Sequence, residues 1–318
     1  MKTKFIWKKK GKIFERNKFF EWSQTHSTLP TPFLINKNTL RIFYTSRDSD
    51  QRSRISYIDV NPDNPQEIFF VNPEPILILG KLGTHDDMGM TSSFILPVKN
   101  RYYFYYNGYN IGTTARYRIA IGLAIGDKFC QNFKKKSSGP IMDRSIFDPC
   151  GCATPYIIFE DGIYKMWYAS FTKWELINGD AEPFYRIAYA ESRDAIHWNP
   201  QNQICIDFNE DEGGIVRPSV MKINSTYYMW YSVRKNTNYR NQLDSSYRIG
   251  FAFSNDGVKW KRNDKNVGID LSQEGWDSEM ICYPNVFHYK DKLYMFYNGN
   301  GFGQSGFGYA ELELNEKS

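Results

Sequence analysis

Apolar and aromatic residues recur along this chain in short runs that alternate with polar turn sequences. Within the runs the apolar positions follow a loose two-residue period, and none keeps the 3.6-residue period of an amphipathic helix. The most aromatic runs carry large rings on both faces, which is typical of strands packed between neighbouring sheets. The pattern therefore predicts an all-β protein with few helices.

Three signals recur five times in the same order along the chain. The first is a Pro or Ser followed by apolar residues, which we use as the anchor of each repeat. The anchors lie 61, 62, 63 and 66 residues apart, at Pro32, Ser93, Pro155, Pro218 and Pro284. The second is an aromatic strand whose Tyr lies 12 residues after the first anchor and 13 after the others: Tyr44, Tyr106, Tyr168, Tyr231 and Tyr297. The third is a strand that starts near an Arg-Ile pair.

Five such units of about 60 residues, each with three or four strands, predict a five-bladed β-propeller. We expect a single domain over residues 1–318, with blades at about 15–62, 83–130, 145–200, 210–262 and 275–314. Residues 5–14 resemble an extra strand that pairs with the last unit and closes the ring. Insertions at 178–184 in the third unit and 236–246 in the fourth predict long loops. A β-sandwich is the alternative, but it would not demand such regular spacing.

Charge and cysteine content narrow the setting of the protein. The net charge of +5 is modest and no nucleic-acid recognition module accompanies it, so we expect no nucleic-acid partner. Charged residues interrupt the N-terminal stretch, and no run of about 18 apolar residues follows, so we expect neither a secretion signal nor a membrane span. An odd number of cysteines, five, favours reduced thiols in the cytoplasm. Cys150 and Cys152 are too closely spaced for a usual zinc or redox pair.

Acidic residues recur just before the anchors. Seven residues before them lie Thr25, Asp86, Asp148, Asp211 and Asp277, and neighbouring positions add Asp87, Glu212 and Glu279. Because the innermost strand of a propeller blade starts near the central channel, we expect these carboxylates to converge on one mouth. Clustered carboxylates shift one another's pKa and suit acid–base work on glycosidic bonds. The alternative is that each Asp caps a strand start or turn.

This architecture resembles the five-bladed propellers of the arabinanase/β-xylosidase and invertase/levansucrase clans and of the mannoside phosphorylases. The resemblance covers nearly the whole chain and includes a Ser-x-Asp-Gly-x-x-Trp phrase at 254–260. It implies a blade-start Asp as base or nucleophile, an orienting Asp one blade on, and an acidic Glu one blade further. Asp87 (or Asp86), Asp148 and Glu212 follow that order and are the catalytic residues it implies.

The acidic set starts one blade late, because the first blade offers His26 and Thr28 instead of a carboxylate. The sequence resembles still more closely propeller proteins associated with bacterial surface-polysaccharide gene clusters. That resemblance implies a glycan setting and supplies no reaction.

Further residues are predicted to bind substrate. Arg47 would clamp a carboxylate or phosphate, or else form a surface salt bridge. Trp174 would stack on a sugar ring, or else pack in the fold. Arg217 would contact substrate, or else pair with Glu212. The full predicted binding set is Arg47, Asp48, His85, Asp86, Trp174, Arg217, Asp277 and Glu279.

Together these features predict a carbohydrate-active enzyme that cleaves or transfers a glycosyl unit by carboxylate acid–base catalysis. A cytoplasmic location favours a nucleotide-linked or other intracellular sugar precursor of surface glycan biosynthesis as substrate. The alternative is a non-catalytic propeller that binds a glycan or a protein partner. No cofactor is expected, with Ca²⁺ in the channel as an alternative, and the sequence leaves open the stereochemical course and the oligomeric state.

Overall fold

The computed structural model describes residues 5–16 and 20–313, and most regular elements in them are strands that pair in antiparallel groups of four. We number these groups as units in the order of the repeats. The first unit holds β2 (Thr25–Asn36), β3 (Thr39–Arg47), β4 (Ser53–Val60) and β5 (Ile68–Val71). The second holds β6 (Gly89–Val98), β7 (Arg101–Ile111), β8 (Tyr117–Gly126) and β9 (Lys134–Lys135). The third holds β10 (Gly151–Glu160), β11 (Ile163–Ile177), β12 (Asp180–Ser192) and β13 (Asn199–Ile206).

The last two units complete the strand inventory. The fourth holds β14 (Glu212–Ile223), β15 (Thr226–Lys235), β16 (Arg248–Ser254) and β17 (Lys261–Arg262). The fifth holds β18 (Cys282–Tyr289), β19 (Lys292–Asn298), β20 (Phe307–Leu312) and the N-terminal β1 (Trp7–Phe14). The described helical segments are α1 (Asn300–Gly303) and two short 3₁₀ turns, Leu243–Ser245 and Asp264–Asn266. None of them has the length or the apolar character needed to cross a membrane. The predicted all-β class is confirmed.

The units meet around a central axis. Single parallel residue pairs join the first four units in sequence, as between Ser53 and Gly89, whereas the fifth unit forms a separate sheet. The innermost strands contact one another in a closed ring that runs β2, β6, β10, β14, β18 and back to β2. Apolar side chains fill the spaces between adjacent sheets, so the core is divided into several clusters around the axis rather than one. The inner strands therefore bring equivalent positions of every unit to the axis.

The N-terminal strand belongs to the last unit. β1 pairs antiparallel with β20, with Trp7 opposite Leu312 and Phe14 opposite Phe307. The indole ring of Trp7 also packs edge-on against Trp230, with 5.6 Å between ring centroids. The pairing expected for residues 5–14 is thus present in the structure.

One of the two predicted long loops is wrong. In the third unit, β11 continues to Ile177 and β12 begins at Asp180, so the insertion forms an extended hairpin. Its two-residue turn is Asn178-Gly179, with φ angles of 54° and 87°. An Asn-Gly pair favours this turn because both residues tolerate positive φ, and that signal was overlooked in the sequence. In the fourth unit, residues 236–247 do form the expected loop.

The outermost strands lie at or beyond the predicted blade ends. β5 and β9 start after residues 62 and 130, where the first two blades were expected to end, and β13 runs past residue 200. These strands are partly exposed, and β9 consists of two lysines. Because such strands need no aromatic pattern, sequence periodicity could not locate them.

The Ser-x-Asp-Gly-x-x-Trp phrase has a structural role in docking units together. The Asp256 carboxylate accepts hydrogen bonds from two backbone N–H groups of the turn, at 2.8 Å each. The turn then presents the carbonyl of Gly257 to the indole N–H of Trp167 in the third unit, at 2.7 Å. In the related turn of the third unit, the Ala195 carbonyl accepts a 2.6 Å bond from the Tyr105 hydroxyl of the second. In both turns the first Ser hydroxyl accepts a bond of 2.9 Å from the backbone N–H three residues on, so the two turns are alike.

Each of the last three anchor prolines lies at a β-bulge of the inner strand. The strand pairing shifts register there, as between Ala153 and Tyr156. A proline suits such a site because it has no N–H to donate to the ladder. The residue before each proline adopts positive φ: Thr154 at 49°, Arg217 at 59° and Tyr283 at 56°. The bulges position these three residues at the axis.

Candidate functional site

A cavity of about 560 Å³ lies on the axis at one face of the ring, and we call it the axial cavity. It is formed where the inner strands begin and where the second and third strands of the units meet. Eight of its lining residues lie one to five positions before the anchors: Thr28, Leu29, Met88, Thr91, Ala153, Thr154, Val216 and Tyr283. The others are Arg47, Asp50, Gln51, Ser53, Asn107, Tyr109, Ile111, Arg116, Tyr117, Ile119, Phe171, Tyr185, Tyr247 and Phe302.

The two sides of the axial cavity differ in chemistry. The first and second units supply both arginines, Asp50, Gln51 and most of the hydroxyl and amide groups. The third, fourth and fifth units supply five aromatic rings, from Phe171, Tyr185, Tyr247, Tyr283 and Phe302. The second unit also contributes the rings of Tyr109 and Tyr117, so a ligand would meet aromatic rings from four units but arginines from the first two alone.

The cavity is richer in cations than in carboxylates. Arg47 and Arg116 line it, and the buried Nε of Arg47 makes no hydrogen bond within the described residues. Among those residues, Asp50 is the sole acidic side chain in the lining; it is 67% exposed and lies 2.9 Å from Arg52. The cavity therefore favours an anionic group.

Arg116 is held in place by the rim of the cavity. Its guanidinium donates to the Glu182 carboxylate and to the Ala181 carbonyl, the latter at 2.9 Å. Glu182 also accepts bonds of 2.6 Å from the Tyr239 hydroxyl and from Arg240. Burial opposes ionisation of Glu182, but Arg240, Tyr239 and Arg116 lower its pKa below the usual value. One buried carboxylate thus ties together rim segments of the second, third and fourth units.

Arg217 lies just beneath the cavity floor, where its side chain is buried without a carboxylate partner in the described part of the chain. Its guanidinium donates to the Ser92 and Pro30 carbonyls, both at 3.2 Å, and to the Thr31 hydroxyl at 2.9 Å. Burial lowers the pKa of Arg217 to about 9. Neither predicted role is seen directly, because Arg217 does not line the cavity and does not pair with Glu212.

The predicted catalytic residues do not converge on the axial cavity. Asp87 accepts a 2.8 Å bond from the Gly83 N–H, and Asp148 is fully buried against Ser145 and Tyr168. Glu212 forms a two-point ion pair with Arg262, at 2.7 and 2.9 Å. None of the three lines the cavity. Each carboxylate has a partner in its own unit, although Oδ1 of Asp87 is buried without one among the described residues. The three do not line one shared mouth, and their catalytic roles stay predictions.

The recurring Asp is a partner of the recurring Tyr. The Tyr106, Tyr168 and Tyr297 hydroxyls donate to Asp86, Asp148 and Asp277, at 3.0, 3.1 and 2.9 Å. In each pair the two residues are 20 positions apart and both are buried. The recurring Asp thus has a structural contact, although it is a side-chain partner of Tyr rather than the strand or turn cap considered from the sequence, and Asp86 and Asp277 do not line the cavity.

The other predicted binding residues lie at varied distances from the cavity. Asp48 pairs with Arg52 and Arg54 and orders the loop that carries Asp50; burial opposes its ionisation, but Arg54 lowers its pKa. The Trp174 ring packs edge-on against the cavity residue Tyr117, at 5.1 Å. Glu279 is exposed and does not line the cavity. Of the predicted residues, only Arg47 lines it, and His85 lines a separate groove described below.

Sequence reasoning missed the tyrosines of a phrase it had noticed. Tyr-Arg-Ile occurs at 117–119, 185–187 and 247–249, and all three tyrosines line the axial cavity. Ser53, in the equivalent Ser-Arg-Ile of the first unit, lines it as well. The repetition of a Tyr directly before the recurring Arg-Ile pair was the available signal.

Within the described residues, no three His, Cys, Asp or Glu side chains lie close enough together to hold a metal ion. All five cysteines are free thiols.

Comparison with known proteins places the chain in a family. No family model matches it. It is 35% identical over 308 residues to the uncharacterized protein Rv1502 of Mycobacterium tuberculosis strain H37Rv, covering 96% of this chain and 99% of that protein. The uncharacterized protein MT1551 of strain CDC 1551 matches to the same extent. This chain belongs to their family.

Solved structures share the fold of this family member at low sequence identity. A structure from the GH130 family of mannoside phosphorylases superposes with a TM-score of 0.72 at 14% identity, covering 99% of this chain and 96% of that one. A thermostable family-43 glycoside hydrolase gives a TM-score of 0.65 at 19% identity, covering 91% and 88%. The β-propeller architecture predicted from the repeats is thereby confirmed, while the count of five blades stays a prediction.

Proposed function

We propose that this protein is a carbohydrate-active enzyme that transfers or cleaves a glycosyl unit of a nucleotide-linked or other phosphorylated sugar in the axial cavity. The observation that carries the proposal is the combination of Arg47 and Arg116 with seven aromatic rings and a single, exposed carboxylate among the lining residues. Sugar rings stack on aromatic faces, and guanidinium groups match phosphate oxygens. The shared fold with glycoside hydrolases supports a carbohydrate ligand.

The scarcity of carboxylates favours a phosphorylated donor over an ordinary glycoside. Hydrolysis of a glycosidic bond usually needs a carboxyl group to protonate the departing oxygen and a second one opposite it. A phosphate or nucleotide departs as an anion, so fixed cations such as Arg47 and Arg116 stabilise it without a proton. In this proposal Asp50, the acidic side chain that lines the cavity, takes the proton from the attacking hydroxyl.

The setting of the reaction follows from the same proposal. Nucleotide-linked and lipid-linked sugars are precursors of surface glycans and are made inside cells, which agrees with the cytoplasmic location that the sequence predicts. The location, the biosynthetic role and the precise donor stay predictions.

The test is a ligand and turnover screen on the full chain. Nucleotide sugars and sugar 1-phosphates should raise the melting temperature, whereas the corresponding neutral sugars should not. Arg47→Gln should weaken that binding about 10-fold or more, because it removes a charge-assisted contact. Arg101→Gln is the matched control, since Arg101 is exposed at the far end of β7 and away from the cavity.

Turnover is followed by chromatography of the released nucleotide or phosphate. Equal stabilisation by neutral oligosaccharides, unaffected by Arg47→Gln, would contradict the phosphorylated donor. Release of product that survives Asp50→Asn without loss would contradict the role given to that carboxylate.

A non-catalytic glycan-binding protein is the second candidate. It is favoured by the engagement of Asp87, Asp148 and Glu212 in contacts within their own units. Binding of a phosphorylated sugar without release of product, across a panel of acceptors, would select it over the enzyme.

A further inference from the structure

A second opening, which we call the side groove, lies on the other side of the β7–β8 hairpin from the axial cavity. Its volume is about 440 Å³, and its walls include His85 on one side and 138–144 on the other. Side chains alternate between the two faces of a strand. Tyr109, Ile111 and Tyr117 accordingly face the axial cavity, while Asn110 and Arg118 face the side groove.

Part of the groove floor is formed by residues with small side chains. Asn110 lies opposite Arg118 in the strand pairing, and the next pair on the same face is Gly108 opposite Ala120. A Cβ atom added to Gly108 would lie 2.6 Å from Cδ2 of His85, so only glycine leaves room for that ring. The His85 ring also stacks on Tyr106, with 5.9 Å between centroids. The groove is therefore shaped around a fixed imidazole.

Arg118 differs from its counterparts in the other units. The equivalent arginines of the repeated Arg-Ile phrase each have a carboxylate partner: Arg54 with Asp48 at 2.7 Å, Arg186 with Asp207 at 3.3 Å, and Arg248 with Asp270 at 3.8 Å. Arg118 is exposed and has no ion pair or side-chain hydrogen bond within the described residues. Asp143 lines the same groove but pairs with Arg144, at 3.9 Å.

His85 supplies an independent observation. Its side chain is only 8% exposed, and neither ring nitrogen makes a hydrogen bond of good geometry; its neighbours are the Asp86 carboxylate, at 3.9 Å, and the backbone of Ser138. Burial lowers the pKa of His85, although the neighbouring Asp86 opposes this, so the ring is neutral at pH 7. A buried polar ring without a well-formed hydrogen bond is costly. An oxygen of a bound ligand would give the ring that hydrogen-bond partner.

We propose that the side groove binds an oxyanion, a phosphate ester or a sugar carboxylate, between Arg118 and Asn110 and beside His85. The planar guanidinium of Arg118 donates to two oxygens of the anion, and the side-chain amide of Asn110 donates a further hydrogen bond to it. Two arginines, Arg118 and Arg144, line the groove together with one carboxylate, Asp143, so the net charge of its lining favours an anion. This site is separate from the axial cavity and does not depend on the function proposed there.

The experiment is a titration of ¹⁵N-histidine-labelled full chain, followed by NMR. The chain has four histidines, so the His85 ring signals are assigned by their loss in His85→Gln. The probes are inorganic phosphate, glucose 1-phosphate, glucuronate and neutral glucose. We expect saturable shifts of the His85 signals with the anions and none with glucose, and the strongest probe tells a phosphate source from a carboxylate source.

Matched variants separate the side groove from the axial cavity. Arg118→Gln and Asn110→Ala should each weaken the His85 response, the first about 10-fold or more. Arg101→Gln and Arg47→Gln should leave it unchanged. The proposal is overturned if no anion shifts the His85 signals, or if the shifts persist at full strength in Arg118→Gln.

Discussion

The second, third and fifth units differ from the first and fourth in one buried contact. The former three each bury an Asp under the hydroxyl of the Tyr that ends their second strand. In the first unit, Thr25 takes the place of the Asp, and the Tyr44 hydroxyl is buried without a partner in the described chain. In the fourth, Asp211 is exposed and pairs with Lys235, while Tyr231 uses Asp264 instead.

The comparison separates the recurring Asp contacts from the positions that give the axial cavity its charge. A contact repeated 20 residues apart in three units stabilises the unit itself. The residues that give the axial cavity its charge, Arg47 and Arg116, recur in no other unit as cavity-lining arginines. Substitution of the recurring Asp residues is therefore expected to change stability, whereas substitution of Arg47 or Arg116 is expected to change ligand binding.

The largest expected effect is from breaking the contact in the third unit. Asp148→Ala leaves the buried hydroxyl of Tyr168 and the partly buried hydroxyl of Ser145 without their acceptor, and should lower the free energy of unfolding by about 3 kcal/mol. Asp211→Ala is the matched control in the fourth unit; its carboxylate is exposed, so no measurable loss is expected. Urea denaturation of both variants makes the measurement, and equal losses would contradict the distinction between the units.

A smaller effect is expected from the tyrosines. Tyr168→Phe removes one hydrogen bond to a buried carboxylate and should cost about 1–2 kcal/mol. Tyr44→Phe removes a buried hydroxyl that has no partner in the described chain, so it should be neutral or slightly stabilising. The two variants lose the same atom, and chemical denaturation compares them directly. A Tyr44→Phe variant as destabilised as Tyr168→Phe would show that its hydroxyl has a partner, such as a bound water.

The smallest effect concerns acid stability of the second unit. Burial opposes ionisation of Asp86, but Lys135 at 2.6 Å outweighs it and the pKa of Asp86 lies below its usual value. Stability from this contact is fully present above the unfolded-state pKa of about 3.9 and is lost as the pH falls through the lower folded-state pKa. Unfolding of Asp86→Asn should accordingly depend less steeply on pH than that of the wild type between about pH 5 and pH 2. Asp211→Asn serves as the surface control, and an unchanged slope in Asp86→Asn would contradict the contribution of Asp86.

The fold was predictable because the residues that recur in each repeat are buried in the structure. Tyr106, Tyr168 and Tyr297 recur at fixed offsets from the anchors, since each must fill the same space between sheets. The outer strands were located poorly, because exposed residues such as Lys134 and Lys135 carry no packing constraint. Local turn chemistry at Asn178-Gly179 was readable but was outweighed by the expectation of a loop.

The sequence predicted where the candidate site lies, but not which side chains line it. The inner strands do begin at the axis, yet the residues before the anchors that line the cavity lie one to five positions before them rather than six or seven. At six or seven positions the chain is mostly still in the connecting segment, where Asp86 and Asp148 turn back under a Tyr. A shift of a few residues in an extended chain moves a side chain to another face, and no sequence signal fixed that register. Arg116 was missed because it lies in a hairpin turn without a repeat.

The pairing of β1 with β20 sets the order in which the chain can fold. Residues 7–14 leave the ribosome before the first four units and residues 307–312 after them, yet the two segments lie side by side in one sheet. Contacts this distant in sequence close slowly, and β19 has no neighbour on one side until β20 is made. The first four units can assemble during synthesis, while the N-terminal strand waits for its partner. Until the fifth unit is complete, the growing chain therefore exposes an open sheet edge at β19.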